Sequence, residues 1–274
     1  MSEKEENEYL LGTGDEELAR LELQHNIFAA DSNALLDAAA FSPGSSLLDL
    51  GAGPGFTSLA LAQRVGPDGK VLAVDTSDRF AGHLRRLMGK HQVNNVDFLL
   101  GDVHHLNLQA GFFDGAMARW LFCFLSDPEA VVRQVAGLLK PGGRFAILDY
   151  FNYLAVAFTP KTPELIKAFQ VTHRSFADNG GNLDIGDTLP EMLVENGFSI
   201  SALQPICSIA RPGEPSWRWY QAFRASFYPK LVEGGYLSAE EAETVARTLK
   251  KREGEQGNYF FPPPMIGIVA TRLG

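Results

Sequence analysis

Three glycines at alternate positions form the stretch of this sequence best suited to bind a ligand. Gly51, Gly53 and Gly55 directly follow the apolar run 46–50, and residues 56–65 then place apolar side chains at helical spacing. Glycine lets the backbone adopt unusual angles and approach a ligand closely. The start of a helix offers free N–H groups that bind polar or anionic atoms. The pattern predicts a buried strand, a tight ligand-binding turn and a helix.

The spacing of this turn, together with an acid further along the chain, favours a nucleoside ligand. Dinucleotide-binding turns read G-x-G-x-x-G, whereas here Phe56 stands where the third glycine belongs. Asp75 ends a second apolar run, twenty residues after Gly55. A carboxylate at that place can accept hydrogen bonds from both hydroxyls of a ribose, and NAD-binding proteins share this chemistry. Asp75 alone therefore does not distinguish a nicotinamide dinucleotide from another nucleoside ligand.

Four motifs in the chain resemble those of the class I methyltransferases that use S-adenosylmethionine. They are LDLGAGPG at 48–55, LAVDTS at 72–77, LLGDVHHL at 99–106 and LLKPGGRFAILDY at 138–150. Within that superfamily the chain is most similar to the small-molecule branch related to ubiquinone and menaquinone biosynthesis methyltransferases. The resemblance implies S-adenosylmethionine as cofactor and a small organic molecule as methyl acceptor.

The glycine turn would lie beneath the amino-acid part of that cofactor. We expect Gly51, Ala52 and Gly53 to pass directly under it. The resemblance implies that Asp49, near the end of the first strand, helps to hold the ammonium group, often through water. The alternative for Asp49 is a structural carboxylate that accepts hydrogen bonds from the loop.

The ends of the next two strands would hold the adenosine. Asp75 is expected to bind the ribose, and Thr76 would lie against the adenine. Asp102 follows the third strand, where its carboxylate could accept the adenine amino group while the N–H of Val103 reaches a ring nitrogen. The alternative for Asp102 is a surface turn.

Further candidate cofactor contacts come from the fourth strand and from the N-terminus. Arg119 and Trp120 leave the fourth strand at its carboxyl end, where ligands bind in open α/β sheets. Arg119 could bind the cofactor carboxylate or line the acceptor site, and its alternative is a helix-capping arginine. Arg20 and Gln24 are four residues apart in a predicted helix. They form either a solvated face or, with Tyr9, a cover over the cofactor, and the resemblance favours the cover.

Strands and helices alternate over residues 46–150, which predicts βαβ units and a mainly parallel sheet. The fold class is therefore α/β, a doubly wound, Rossmann-like sheet of seven strands with N-terminal helices and an inserted helical lid. We expect an N-terminal helical cover at 1–41 and a methyltransferase domain at 42–274. The acceptor lid would be inserted at about 152–186. The first helix is expected to run to about residue 30 and the second over 33–40.

Aromatic residues concentrate in the predicted helix 216–232 and again at 259–261. The segments 152–186 and 216–264 are expected to enclose a small, largely apolar or aromatic acceptor. Apolar residues at helical spacing form one stripe that should pack in the core: Trp217, Tyr220, Phe223 or Arg224, and Phe227. Trp219 and Tyr228 lie off this stripe and are expected to face a cavity.

Charge and composition narrow the possible functions. The 274 residues carry a formal net charge of −9, which disfavours a nucleic-acid substrate. The two cysteines are far apart and have no metal-ligand spacing, so no metal site is expected. With no apolar signal segment at the N-terminus and no long apolar run, the chain is expected to be cytoplasmic without a membrane span. Its oligomeric state is left open.

No general base stands out, and the catalytic residues stay unassigned. His104, His105 and His173 are weak candidates, since a lone histidine is more often structural. Because the sulfonium methyl is already activated, positioning can supply much of the catalysis, and a base is needed only by an acceptor that holds its proton. The function expected is in-line methyl transfer to a small organic acceptor. The alternatives are an NAD(P)-dependent oxidoreductase and a non-catalytic protein that binds S-adenosylmethionine.

Overall fold

The computed structural model of the protein describes residues 14–274, which form one α/β fold around a seven-stranded sheet. The strands are β1 Ser46–Leu50, β2 Lys70–Asp75, β3 Val96–Leu100, β4 Phe113–Arg119, β5 Leu139–Tyr150, β6 Ala157–Thr159, β7 Phe198–Ile206, β8 Tyr259–Phe261 and β9 Met265–Arg272. The helices are α1 Asp15–Ile27, α2 Ala29–Ala39, α3 Phe56–Val65, α4 Asp78–His91, α5 Pro128–Leu138, α6 Pro163–Asp178, α7 Leu189–Glu195, α8 Pro215–Glu233 and α9 Ala239–Arg252.

The main sheet has the strand order β3-β2-β1-β4-β5-β9-β7. The five strands from β3 to β5 run parallel, while β9 is antiparallel to both β5 and β7. Parallel strands are buried on both faces and therefore read as continuous apolar runs, as Leu47, Leu48 and Leu50 do in β1. The strand order reverses between β1 and β4, the place where open α/β sheets bind their ligands. The predicted doubly wound, mainly parallel sheet of seven strands is confirmed.

The C-terminal segment 259–272 forms two separate strands. Strand β8 pairs with β6 in a separate two-stranded sheet, and β9 lies between β5 and β7. The prolines at 262–264 connect them outside both ladders, because proline cannot donate a ladder hydrogen bond. Strand β9 takes an interior position because Ile268, Val269 and Ala270 are fully buried.

The first two helices meet earlier in the chain than predicted. Helix α1 ends at Ile27, and the backbone of Phe28, with φ −98° and ψ 17°, separates it from α2. The Phe28 ring is buried in edge contacts with Trp120 and Trp219, at centroid distances of 5.4 and 5.7 Å. This burial places the break before Ala29, and α2 begins there and not at Asn33. None of the helices within residues 14–274 is long and apolar enough to cross a membrane.

Candidate active site

A cavity of about 250 Å³ lies at the carboxyl ends of the parallel strands, and its wall has two chemically different halves. One half carries the glycine turn and polar groups: Gly51, Ala52, Gly53, Asp75, Thr76, Asp102, Val103, Arg119 and Trp120. The other half is largely apolar: Phe124, Leu125, Tyr150, Tyr153, Val156, Phe176, Leu183, Trp219, Tyr220, Phe223 and Pro263. Arg20, Leu21 and Gln24 of α1 also line the cavity.

The glycine turn needs two of its glycines for different reasons. Gly51 has φ +61°, and a Cβ there would lie 2.8 Å from Cδ1 of Leu121. Gly53 has φ +52°, and a Cβ there would meet nothing within 4 Å. Both positions favour glycine because side-chain-bearing residues rarely adopt positive φ. Only Gly53 has open space beside it, so its backbone is the part of the turn that a ligand can approach most closely.

Asp75 ties the glycine turn to the end of β2. One carboxylate oxygen accepts the Gly53 N–H at 2.8 Å, and the other accepts the Ser77 N–H at 3.0 Å. Burial raises the pKa of Asp75, against the effect of these hydrogen bonds. The side chain lines the cavity and is at the same time part of the turn's structure.

Asp49 does not line the cavity within the described part of the chain. Its side chain is only 1% exposed and accepts a hydrogen bond from Ser58 Oγ at 2.6 Å. Ser58 belongs to α3, so the Asp49 carboxylate faces that helix from behind the turn. Burial raises its pKa to about 7. The expected contact with a cofactor ammonium is therefore not a direct one in this arrangement, because Ser58 holds the carboxylate away from the cavity.

The loop after β3 brings Asp102 and Val103 to the cavity wall. The Asp102 carboxylate accepts hydrogen bonds from the backbone N–H of His104 at 2.9 Å and is 2.8 Å from its Nδ1, while Nδ1 of His105 is 3.4 Å away. Although partial burial opposes it, these histidine contacts lower the pKa of Asp102. Val103 is buried and lines the cavity. The two histidines thus hold the loop and are not on the cavity wall.

Arg119 is a half-buried cation at the cavity wall, and no carboxylate among residues 14–274 is close enough to form an ion pair with it, although the more distant Asp49 interacts with it electrostatically. Its guanidinium donates to Ser32 Oγ at 3.1 Å, is 3.3 Å from His25 Nδ1 and lies over the Trp120 ring. Burial lowers the pKa of Arg119 to about 10, which still leaves it charged at neutral pH. Burial and the nearby Arg119 charge lower the pKa of His25 to about 4, so that histidine is neutral. A cation at a cavity wall with no carboxylate within ion-pair distance can bind an anionic ligand group.

Polar side chains of helix α1 are buried and joined by hydrogen bonds, so they do not form the solvated face that was one of the two alternatives from the sequence. Arg20 binds Glu17 through two hydrogen bonds of 2.6 and 2.7 Å and donates to Gln24 Oε1 at 2.7 Å. The same oxygen accepts the indole N–H of Trp219 at 2.8 Å. Glu17, Arg20 and Gln24 are each at most 4% exposed. Arg20 and Gln24 line the cavity, and Tyr9 lies outside the described residues.

The apolar half corrects the prediction made for helix α8. Trp219 faces the cavity as expected, but Tyr220 and Phe223, assigned to the core stripe, line it too. Tyr228, expected at the cavity, is not on its wall and instead bonds through its hydroxyl to that of Tyr220 at 2.7 Å. Trp217 is fully buried in the core, as predicted. The helix is buried on several faces, so spacing alone could not identify the one that meets the cavity.

Several residues of the cavity wall were not predicted from the sequence. Phe124 and Leu125 come from the short 3-10 turn after β4, and Leu183 from the loop after α6. The only signal for the first two was an apolar run directly after a strand end. His173 is not on the wall; its Nε2 lies 2.7 Å from Asp184 Oδ2.

Comparison with known proteins identifies related sequences. A family model described as a methyltransferase domain matches residues 48–147. Arsenite methyltransferase from Halobacterium salinarum is 31% identical over 61% of this chain and 40% of its own length. The ubiquinone/menaquinone biosynthesis C-methyltransferase of Pseudomonas putida is 27% identical over 57% of this chain and 65% of its own length. The chain thus spans less than two thirds of either relative.

Solved structures share the fold over most of the chain. A putative methyltransferase from Bacillus halodurans has a TM-score of 0.64 at 19% identity, covering 89% of this chain and 100% of that one. Geranyl diphosphate C-methyltransferase from Streptomyces coelicolor, solved with Mg²⁺, geranyl diphosphate and S-adenosylhomocysteine, has a TM-score of 0.57 at 13% identity over 91% of this chain and 80% of that one. The solved structures show the fold, and the family model identifies residues 48–147 as a methyltransferase domain, which supports a place among the class I methyltransferases.

Proposed function

We propose that this chain transfers the methyl group of S-adenosylmethionine to a small, largely apolar or aromatic acceptor. The observation that carries the proposal is a single cavity that joins a glycine turn with polar groups to an apolar wall. Ligand sites are mostly apolar with a few placed polar groups. The carboxyl ends of the strands supply the polar groups, and the segments after β5 supply the apolar wall.

The polar half fits the amino-acid part of the cofactor. Gly53 leaves open space beside the turn, so Gly51, Ala52 and Gly53 would run beneath that part. Arg119, a cation without an ion-pair partner in the described chain, would bind the cofactor carboxylate. Asp49 would act from behind the turn by fixing Ser58. This fit rests on complementary charge and on the absence of a side chain at Gly53.

The remaining polar groups fit adenosine. Both oxygens of the Asp75 carboxylate accept backbone N–H groups, and a carboxylate has further lone pairs that can accept ribose hydroxyls. Thr76 lies beside it on the wall, and Asp102 and Val103 follow at the place expected for adenine. Gln24 would contact the cofactor from the N-terminal cover, and Trp120 would contact it from the end of β4. Tyr9 is a proposed contact of the cover on the basis of the sequence alone.

S-adenosylmethionine supplies an activated sulfonium methyl when it is bound. The chain's own residues then have to orient the acceptor and exclude water, and such positioning can account for a large part of the rate. Tyr153, Val156 and Trp219 contribute the apolar wall that does this. We propose that residues 1–41 act as a helical cover and that 152–186 act as an acceptor lid within the domain 42–274.

The alternatives have less support. Phe56 interrupts the dinucleotide pattern that an NAD(P)-dependent oxidoreductase would need. No cysteine lines the cavity within the described chain, so the similarity to arsenite methyltransferase is not extended to a thiol-seeking arsenic acceptor. The net charge of −9 disfavours a nucleic-acid acceptor.

The test is turnover with methyl-labelled S-adenosylmethionine against a panel of small aromatic and isoprenoid compounds. We expect label in at least one panel member, and loss of that label in Asp75→Asn but not in the surface control Asp78→Asn. Cofactor binding with no transfer to any compound would favour the non-catalytic alternative. Label in RNA, DNA or protein alone would contradict the proposed acceptor class.

A further inference from the structure

A pair of buried tyrosine hydroxyls lies at the apolar end of the cavity. Tyr220 and Tyr228 are 3% and 2% exposed, and their hydroxyl oxygens are 2.7 Å apart. Tyr220 is on the cavity wall, whereas Tyr228 lies behind it. Tyr220 is therefore the member of the pair that can contact a ligand, and Tyr228 holds its hydroxyl from behind.

The surroundings of the pair are apolar and fix the position of the Tyr220 ring. Phe158, Phe260 and Phe169 pack against it at centroid distances of 5.0, 5.2 and 5.6 Å. A polar group in such surroundings is unfavourable unless its hydrogen bonds are made. A hydroxyl pair deserves an explanation here because two phenylalanines would fill the same space without that cost.

Counting hydrogens shows that the pair has a donor left over. Two hydroxyls joined by a single hydrogen bond use one O–H and leave the other available. If Tyr228 donates to Tyr220, the remaining hydrogen is on Tyr220, which is the member on the cavity wall. Burial raises the pKa of Tyr220 well above its usual value and that of Tyr228 to about 12, so both are neutral donors at physiological pH.

A positive charge adjoins the same face of α8. Arg224 lies four residues after Tyr220 and four before Tyr228, which places all three on one side of the helix. Its Nε is buried and has no hydrogen-bond partner among the described residues. Arg224 is not on the cavity wall, but its charge acts on Tyr220, and together with the spare hydroxyl hydrogen it favours a ligand atom with lone pairs.

We infer that the Tyr220–Tyr228 hydroxyl pair donates a hydrogen bond to an oxygen atom carried by an otherwise apolar acceptor. The inference rests on the proposed function and narrows its substrate class to oxygenated aromatic or isoprenoid molecules, such as phenols and enols. Tyr220 makes the contact and determines specificity, and Tyr228 is a positioning residue that orients its hydroxyl.

The experiment compares two probes of nearly equal shape, 1-naphthol and 1-methylnaphthalene, in the full chain saturated with S-adenosylhomocysteine. Equilibrium dialysis gives both dissociation constants, and their ratio measures preference for the hydroxyl. We expect wild type to prefer 1-naphthol and Tyr220→Phe to reduce the ratio by about three- to tenfold, the range for one hydrogen bond. Tyr228→Phe keeps the Tyr220 donor and should retain more of the preference than Tyr220→Phe.

Tyr236→Phe is the matched control, because Tyr236 bonds to Asp178 away from the cavity and its loss should leave the ratio unchanged. The inference is overturned if wild type does not prefer 1-naphthol, if Tyr220→Phe leaves the ratio unchanged, or if only Tyr228→Phe removes the preference. Binding of S-adenosylhomocysteine should be the same in wild type and all three variants. Its absence in wild type would refute the proposed function, and its presence with an unchanged ratio refutes only the hydroxyl contact.

Discussion

Replacing Asp75 by asparagine separates its proposed role in ligand binding from its role in the glycine turn. The carboxylate accepts the N–H groups of Gly53 and Ser77 at 2.8 and 3.0 Å. Asp75→Ala would leave both donors without a partner, and each could cost about 1–3 kcal/mol of stability. Asp75→Asn keeps the shape and one acceptor oxygen, so it is the more informative change.

The expected loss of affinity follows from the hydrogen bonds to the charged group. Such bonds contribute about 1.5–3 kcal/mol each, and asparagine loses the charge and one of the two ribose acceptors. The dissociation constant for S-adenosylhomocysteine should therefore rise by about ten- to a hundredfold, at 1.4 kcal/mol for each factor of ten. Isothermal titration calorimetry measures this directly.

Asp78→Asn is the matched control, since Asp78 is exposed in the first turn of α4 and does not line the cavity. It should bind S-adenosylhomocysteine like wild type. An Asp75→Asn protein that is folded by circular dichroism and keeps the wild-type dissociation constant would refute the ribose assignment. Weaker binding in both variants would point to overall charge and not to a contact.

Four further changes test other parts of the site. Gly51→Ala combines positive φ with a contact at 2.8 Å and should lower the free energy of unfolding by about 1–3 kcal/mol in urea denaturation. Gly53→Ala lacks that contact, so its main effect should be at least roughly tenfold weaker S-adenosylhomocysteine binding, and equal binding would contradict the proposed path of the cofactor. Arg119→Met should weaken the binding of S-adenosylhomocysteine by about ten- to a hundredfold. The binding of 5′-methylthioadenosine, which lacks the amino-acid carboxylate, should not change. An equal loss of affinity for both ligands would refute the carboxylate contact. Burial raises the Asp49 pKa from 3.8 to about 7, so the wild-type protein loses stability as the pH rises through that range and the carboxyl group ionises. The Asp49→Asn variant should therefore gain stability relative to wild type between pH 4 and 7, by at most about 4 kcal/mol. A difference in stability that does not change with pH would contradict the raised pKa.

The parts of the fold that depend on local pattern could be predicted from the sequence. The glycine turn, the parallel strands around it and helix α6 follow from apolar runs, glycines and proline at a helix start. The break at Phe28 could not be predicted, because it depends on the ring packing between Trp120 and Trp219, which are distant in sequence. Local spacing contains no information about such contacts.

The candidate site could be predicted where a sequence motif determines the backbone conformation. It was harder to predict where tertiary contacts determine which side chains reach the cavity. Gly51 and Asp75 lie on the cavity wall as expected. Asp49 does not, because Ser58, nine residues further on, binds its carboxylate from α3. Gln24 looked equally compatible with a solvated face, and only its contact with Trp219 of α8 buries it. Helix α8 is apolar around much of its circumference, so spacing could not place Tyr220 on the wall.

The most direct test of the central claim is a crystal structure with S-adenosylhomocysteine. We predict that the ligand occupies the polar half of the cavity, with its ribose hydroxyls within hydrogen-bond distance of Asp75, its carboxylate beside Arg119 and its sulfur directed towards Tyr153 and Trp219. A ligand bound outside this cavity, or one whose sulfur points away from the apolar wall, would contradict the account.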